Sequence, residues 1–291
     1  MPVKIPAVTS AGAYYLLACA DDIEKVPETD EKNNCIASTS TVALSLPDLV
    51  ETLVSNPPSG PLGQGGSFAV TDTVQNQGNV AAGASTTRYY LSTNTVKEGG
   101  DILLTGVRAV PALLVGATSK GTVTVKIPAE TTAGAYYLLA CADDTGLVSE
   151  TDETNNCTAS GSKVVVSRPD LVELFVSDPP SGPLTQGNSF AVIDMVLNQG
   201  NVAAGASTTR YYLSTNTVKE GGDILLTGIR AVPALQSGAI SSGKAMLVTI
   251  PKGTAAGTYY LLACADDTGL VPETDEANNC IASDSTVEVF P

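Results

Sequence analysis

The sequence predicts an all-β chain of tandem β-sandwich repeats, each about 122 residues long. Three observations carry that prediction. The segment NVAAGASTTRYYLSTNTVKEGGDILLTG stands at 79–106 and returns unchanged at 201–228, an offset of 122 residues. Short apolar runs alternate at period two between Gly and Pro punctuation, and none shows a helical period. The cysteines keep the same step: Cys19, Cys141 and Cys264, then Cys35, Cys157 and Cys280. The second interval is one residue longer, and the extra residue falls between Pro233 and Pro251.

Taken in order, the elements of one repeat begin with Asp48–Ser55, an alternating opening strand halted by the turn Pro57-Pro58-Ser59-Gly60-Pro61. Ser67–Gln75 alternates cleanly until Asn76-Gln77-Gly78-Asn79 breaks it. Thr86–Ser92 is the next strand, followed by a polar stretch to Gly100 and by short runs at Asp101–Leu104 and Gly106–Val110. Lys120–Ile127 stops at Pro128, and Ala135–Ala142 with Cys157–Val166 complete the unit. Seven or eight short strands separated by turn signals predict a sandwich.

The boundaries that follow are a partial repeat at 1–46 holding only final strands, then complete repeats at 47–166 and 167–291. The partial repeat would expose an apolar face and open sheet edges. It reads as a window from a longer array, with completion by a neighbouring molecule as the alternative. The connectors Ser45–Asp48 and Ser167–Asp170 are short and carry Pro47 and Pro169, which predicts little hinge freedom.

Composition narrows the function. A net charge of −15 works against nucleic acid and against insertion into or adhesion to an anionic membrane. No apolar run approaches the ~20 residues of a spanning helix. The chain has no His, which removes the commonest general base and a common metal ligand. It also has no Trp and only 4 Phe, so the core must be aliphatic with some Tyr. No nucleophile elbow, dinucleotide fingerprint or phosphate loop is present, and the expectation is that the chain is not an enzyme.

The run VQNQGNVAAGASTTRYYLST, the later RAVPAL and the segment YYLLACADD…VSETDETNN resemble CARDB, the cell-adhesion-related domain of bacteria and archaea. The resemblance covers each complete repeat nearly end to end. It implies an immunoglobulin-like sandwich in tandem on secreted or surface proteins, with adhesive or scaffolding roles and no catalytic residues to carry over. The cysteine pair is not implied by the family.

Each repeat places two cysteines on neighbouring predicted strands, which predicts disulfides Cys19–Cys35, Cys141–Cys157 and Cys264–Cys280. A zinc site would need four ligands and finds two thiols. The loop between the cysteines is rich in oxygen: Asp143, Asp144, Glu150, Asp152, Glu153, Asn155 and Asn156, matched by Asp266, Asp267, Glu273, Asp275, Glu276 and Asn278. Ca²⁺ takes 6–8 such oxygens, so these residues are calcium candidates, although their spacing matches no EF-hand. The competing reading is a set of turn residues at a hairpin end. Glu98 with Asp101, and Glu220 with Asp223, form a weaker second candidate. No cofactor is required.

All ten tyrosines fall in pairs, at 14–15, 89–90, 136–137, 211–212 and 259–260. Successive strand residues face opposite sides, so one ring of each pair is expected in the core and the other outside. Tyr89, Tyr90, Tyr136, Tyr137, Tyr211, Tyr212, Tyr259 and Tyr260 are therefore candidates for an interface or for stacking on surface glycans. Together these features predict an extracellular or cell-surface structural protein, a filament, fibre or stalk whose partners are copies of itself or adjoining repeats. The alternatives are an adhesive carbohydrate-binding module, with calcium, and a non-catalytic arm of a larger secreted enzyme.

Overall fold

A computed structural model describes residues 2–6 and 9–291. Two compact units are present, and Val164–Pro291 lies wholly within the second. The described residues contain strands and turns and no helix, so none is long and apolar enough to cross a membrane.

The chain opens with a hairpin, β1 (Gly12–Cys19) and β2 (Cys35–Leu44), paired antiparallel from Gly12↔Leu44 to Cys19↔Cys35. The first complete repeat holds β3 (Leu49–Val54), β4 (Leu62–Gly63), β5 (Ser67–Asn76), β6 (Ser85–Ser92), β7 (Ile102–Leu103), β8 (Arg108–Val110), β9 (Thr118–Lys126), β10 (Gly134–Ala142) and β11 (Cys157–Ser167). One of its sheets runs β3-β5-β9 and the other β4-β11-β10-β6-β7, with β8 also on β6. The second repeat holds β12 (Leu171–Val176), β13 (Leu184–Thr185), β14 (Ser189–Val192), β15 (Asp194–Asn198), β16 (Ser207–Ser214), β17 (Ile224–Val232), β18 (Ile240–Ser242), β19 (Met246–Thr249), β20 (Gly257–Ala265) and β21 (Cys280–Phe290). Its sheets run β12-β15-β18 and β13-β21-β20-β16-β17-β19-β14.

Most expected strands are present, and β4 with its counterpart β13 was not expected. Each is two residues long and pairs parallel with the final strand, Leu62↔Val166 and Leu184↔Val289. A run of two residues between Pro and Gly carries too little alternation to read as a strand. The opening strands also depart from strict alternation. A bulge between Glu173 and Phe175 in β12, and between Glu51 and Leu53 in β3, turns the following side chains over. Leu171 and Glu173 consequently point inward, while Leu174 and Phe175 are exposed.

The extra residue of the second repeat has a local effect. In the first repeat β5 and β9 pair without interruption from Ser67↔Lys126 to Gln75↔Thr118. In the second the same ladder is split, with β14 paired to β19 and β15 to β18, and Gly243 bridges the gap by donating its N–H to Asp194 O at 3.0 Å. One added residue on one strand interrupts the ladder at that point.

The second core is aliphatic with one aromatic layer: Phe190, Tyr211 and Tyr259 pack with Val192, Leu213, Leu226, Leu261 and Val289. A smaller cluster around Leu171, Val196, Val232 and Val271 fills the other end. The turn after β15 passes so close to the start of β12 that a Cβ on Gly200 would lie 2.6 Å from Asp170 N and Pro169 C. Both obstacles are backbone, so neither can move aside as a side chain would. Gly200→Ala is expected to destabilise the second repeat by about 1–3 kcal/mol, measured as an earlier transition in urea.

Candidate functional site

Three features recur in both complete repeats: a buried polar cluster, and the acidic disulfide loop and tyrosine pairs singled out above. The polar cluster sits in the core. Asp194, fully buried at the start of β15, accepts Tyr211 Oη–H at 2.7 Å and Arg230 Nε–H at 2.7 Å, and Arg230 Nη1 donates to Ser241 Oγ at 3.0 Å. Glu173 accepts Thr209 Oγ1–H at 2.9 Å. In the first repeat Asp72, Tyr89, Arg108, Ser119, Glu51 and Thr87 repeat the arrangement. A glycine makes room for each guanidinium, since a Cβ on Gly243 or Gly121 would meet the Arg230 or Arg108 Cδ at 2.5 or 2.6 Å.

The cluster holds two carboxylates and one guanidinium in a dry interior. Burial, followed by the neighbouring Asp72 charge, pushes the Glu51 carboxyl up to about 8, and burial and Asp194 do the same for Glu173. At neutral pH the two glutamic acids are therefore mainly protonated, while each arginine pairs with its aspartate. Burial and the hydrogen bond to aspartate hold the Tyr89 and Tyr211 hydroxyls far above their ordinary range. This cluster escaped the sequence reading. A charged residue at an inward position of an alternating strand was its signal, and only the folded ladder shows that Glu51, Asp72 and Arg108 share one interior.

The acidic loop is engaged with its own backbone and with the start of the repeat. Glu273 accepts the Leu171 N–H and Asn279 Nδ2–H, the latter at 3.1 Å, and in the first repeat Glu150 accepts Leu49 N–H and Asn156 Nδ2–H. Asp266 takes the N–H groups of Leu270 and Val271, and Asp143 those of Leu147 and Val148. Glu153 and Glu276 accept the Glu150 and Glu273 N–H groups. Asp152 and Asp275 cap the following turn through Thr154 N–H and Ala277 N–H. Asn155 and Asn278 donate to Asp48 Oδ1 and Asp170 Oδ1 at 3.0 and 2.9 Å. Asp144 and Asp267 instead accept Tyr90 Oη–H and Tyr212 Oη–H.

Among the described residues, the only three cysteine or carboxylate groups converging closely enough for one ion are Cys19, Asp22 and Cys35, and both of those cysteines are bonded to each other. Through the hydrogen bonds given above, Asp143, Asp152, Glu153 and their counterparts hold the turns of both loops. Burial raises Glu150 and Glu273 to about 7, against the opposing pull of the N–H groups of Leu49 and Leu171. Glu98 and Glu220 belong to separate turns, in which their N–H groups donate to Asp101 and Asp223.

The cysteines are bonded as 19–35, 141–157 and 264–280, each bond closing the acidic loop at its base. The tyrosines differ from the alternation rule. Tyr89 and Tyr211 face the core, as expected, but their neighbours Tyr90 and Tyr212 are also buried, at 7% and 6% exposure. Their rings lie beneath Lys97 Nζ and Lys219 Nζ at 4.2 Å and against Leu139 and Leu262. The turn carrying each lysine folds over the outer sheet face, so alternation sends the ring outward and a loop covers it. Tyr136 and Tyr259 are buried, and within the two complete repeats only Tyr137 and Tyr260 keep partial access, the former under Lys163. Beside each disulfide a groove remains, of about 680 Å³ in the first repeat and 610 Å³ in the second, flanked by Lys97 and Asp144 or Lys219 and Asp267.

The opening hairpin presents the contrast. β10 and β20 are buried through their last five residues, whereas β1, which repeats β10 exactly and differs from β20 only at Ala13, is exposed throughout. Tyr15, Leu17 and Ile36 stand 61%, 61% and 74% exposed.

Two predictions follow the polar cluster. Replacing Arg230 by Met strands Asp194 in the core and is expected to cost about 3–5 kcal/mol, read from denaturant unfolding of the second repeat. The raised glutamic acids bind their protons more tightly folded than unfolded. Their stabilising contribution is present in full below about pH 4.5 and is lost as pH rises through about 7 for Glu273 and about 8 for Glu173. The melting temperature is therefore expected to be higher at pH 5 than at pH 9, and Glu51→Gln with Glu173→Gln to flatten the alkaline part of that decline.

The CARDB family model matches residues 46–160 and again 168–283. Among solved structures, the crystal structure of the CARDB domain of the PF1109 protein of Pyrococcus furiosus, in complex with di-metal ions, is 20% identical. It covers 42% of this chain and 90% of that one, with a TM-score of 0.29. The solution structure of the same domain is 21% identical over 42% of this chain and 97% of that one, with a TM-score of 0.28. A red sea bream transglutaminase is 12% identical, over 85% of this chain and 32% of that one, with a TM-score of 0.25. No match was found among curated proteins.

Proposed function

Because the chain belongs to the CARDB family of cell-adhesion-related domains, with two matches that span most of it, we propose that it is a structural segment of an extracellular prokaryotic filament or stalk. The near-exact recurrence of the unit carries this reading: residues 79–106 return unchanged at 201–228, so any site on one complete repeat is present on the next.

Other features support the same reading. The recurring polar and acidic residues serve the inside of each repeat: Arg108 and Arg230 pair with buried aspartates, and the loop carboxylates accept backbone N–H groups. Three disulfides suit an oxidising exterior. The family offers no catalytic residues to transfer. Near-identical units in tandem suit a material more than a single recognition site.

Electron micrographs of the native material test the proposal. Long filaments whose axial repeat matches one unit are the expected result. Discrete short particles without that repeat would overturn it and turn attention to the grooves beside the disulfides as ligand sites.

A further inference from the structure

A filament carries tension along its axis, and the covalent chain of each repeat must pass that tension from its first residue to its last. The path can be traced in the second repeat. The incoming segment Arg168–Leu171 is tied to the disulfide loop at several points. Thr274 N–H donates to Pro169 O at 2.9 Å, Leu171 N–H to Glu273, and Asn278 Nδ2 to Asp170 Oδ1 at 2.9 Å. Asn198 Oδ1 accepts Asp170 N–H at 3.2 Å from the other side, and Gln199 N–H donates to Asp170 O at 2.8 Å.

The loop that receives these bonds leads directly into Cys280, the first residue of β21. From there β21 runs as one continuous strand to Phe290. The outgoing end is secured in turn by the parallel pair with β13, Leu184↔Val289 and Thr185↔Phe290. The first repeat has the same parts: Thr151 N–H to Pro47 O at 2.9 Å, Leu49 N–H to Glu150, Asn155 to Asp48, and then β11 from Cys157 to Ser167.

We propose that each repeat is a load-bearing link in which the acidic disulfide loop latches the incoming segment to the base of the last strand, so that tension runs along that strand and bypasses the sandwich core. The proposal deepens the filament reading and rests on it, since axial load requires an array. It also assigns a role to the ETDE(A/T)NN loop. Its carboxylates and amides form a mechanical latch, and the disulfide at its base keeps the latch attached to both final strands.

Single-molecule stretching of the full chain, held by its two ends, tests the proposal. The parent chain is expected to give two long extension steps at similar force. Each releases roughly 370 Å, with about 55 Å more after reduction, from a chain reach of about 3.5 Å per residue. In the double variant Glu273→Ala with Asn278→Ala, one step is expected to move to clearly lower force while the other stays, the first repeat serving as internal reference. A core variant, Leu226→Ala, matched for loss of stability in denaturant, is expected to leave both steps near the parent force.

Equal lowering by the latch and core variants would overturn the proposal, as would a latch variant with unchanged forces. Neither result would bear on filaments seen in micrographs, so failure of the latch and failure of the filament reading are separable.

Discussion

The first residue of each complete sandwich sets a constraint that much of the repeat answers. Leu49 and Leu171 are fully buried at the start of the opening strand, and a buried N–H must find an acceptor. The partner is a glutamate from a loop about a hundred residues further along, Glu150 or Glu273. For that carboxyl to reach, its loop must be compact and fixed in place. Asp143 and Asp266 hold it by gathering two N–H groups each, and the disulfide closes its base. Beginning and end of each repeat are thus fastened together, and the sequence between them forms the two sheets.

The same economy explains the Asn-x-Gly element. Asn198 uses both ends of its amide: Oδ1 accepts Asp170 N–H and Gly200 N–H, while Nδ2 donates to Val202 O and Leu235 O. Gly200 then lets the turn lie against Pro169. Asn76 and Gly78 do the same work in the first repeat. Short polar signatures that identify the family are therefore internal fasteners of the sandwich.

Strand existence was largely legible from period-two alternation and turn residues, because those patterns report local backbone geometry and one-sided burial. Cysteine pairing was legible too, since the repeat spacing put each pair on adjoining strands. The buried cluster of Glu51, Asp72 and Arg108 was not, because β3 and β5 belong to one sheet and β8 to the other, and only the packing of the two sheets brings the three residues together. The tyrosines show the limit of alternation itself. It sends Tyr90 to the outer face correctly, and it carries no information about the turn holding Lys97, which closes over that face.

What the sequence determined by itself is therefore the repeat, the all-β class, the strands and the cysteine pairs, all properties of local pattern or of exact recurrence along the chain. What only tertiary structure decided is the meaning of the polar residues. The oxygens of the acidic loop could be read from the sequence either as cation ligands or as turn residues. Folding sets Glu150 and Glu273 against the N–H groups of Leu49 and Leu171, and Asp143, Glu153 and their counterparts against N–H groups of the loop itself. A charged side chain takes its role from the partners within hydrogen-bonding distance, and those partners lie far away in sequence.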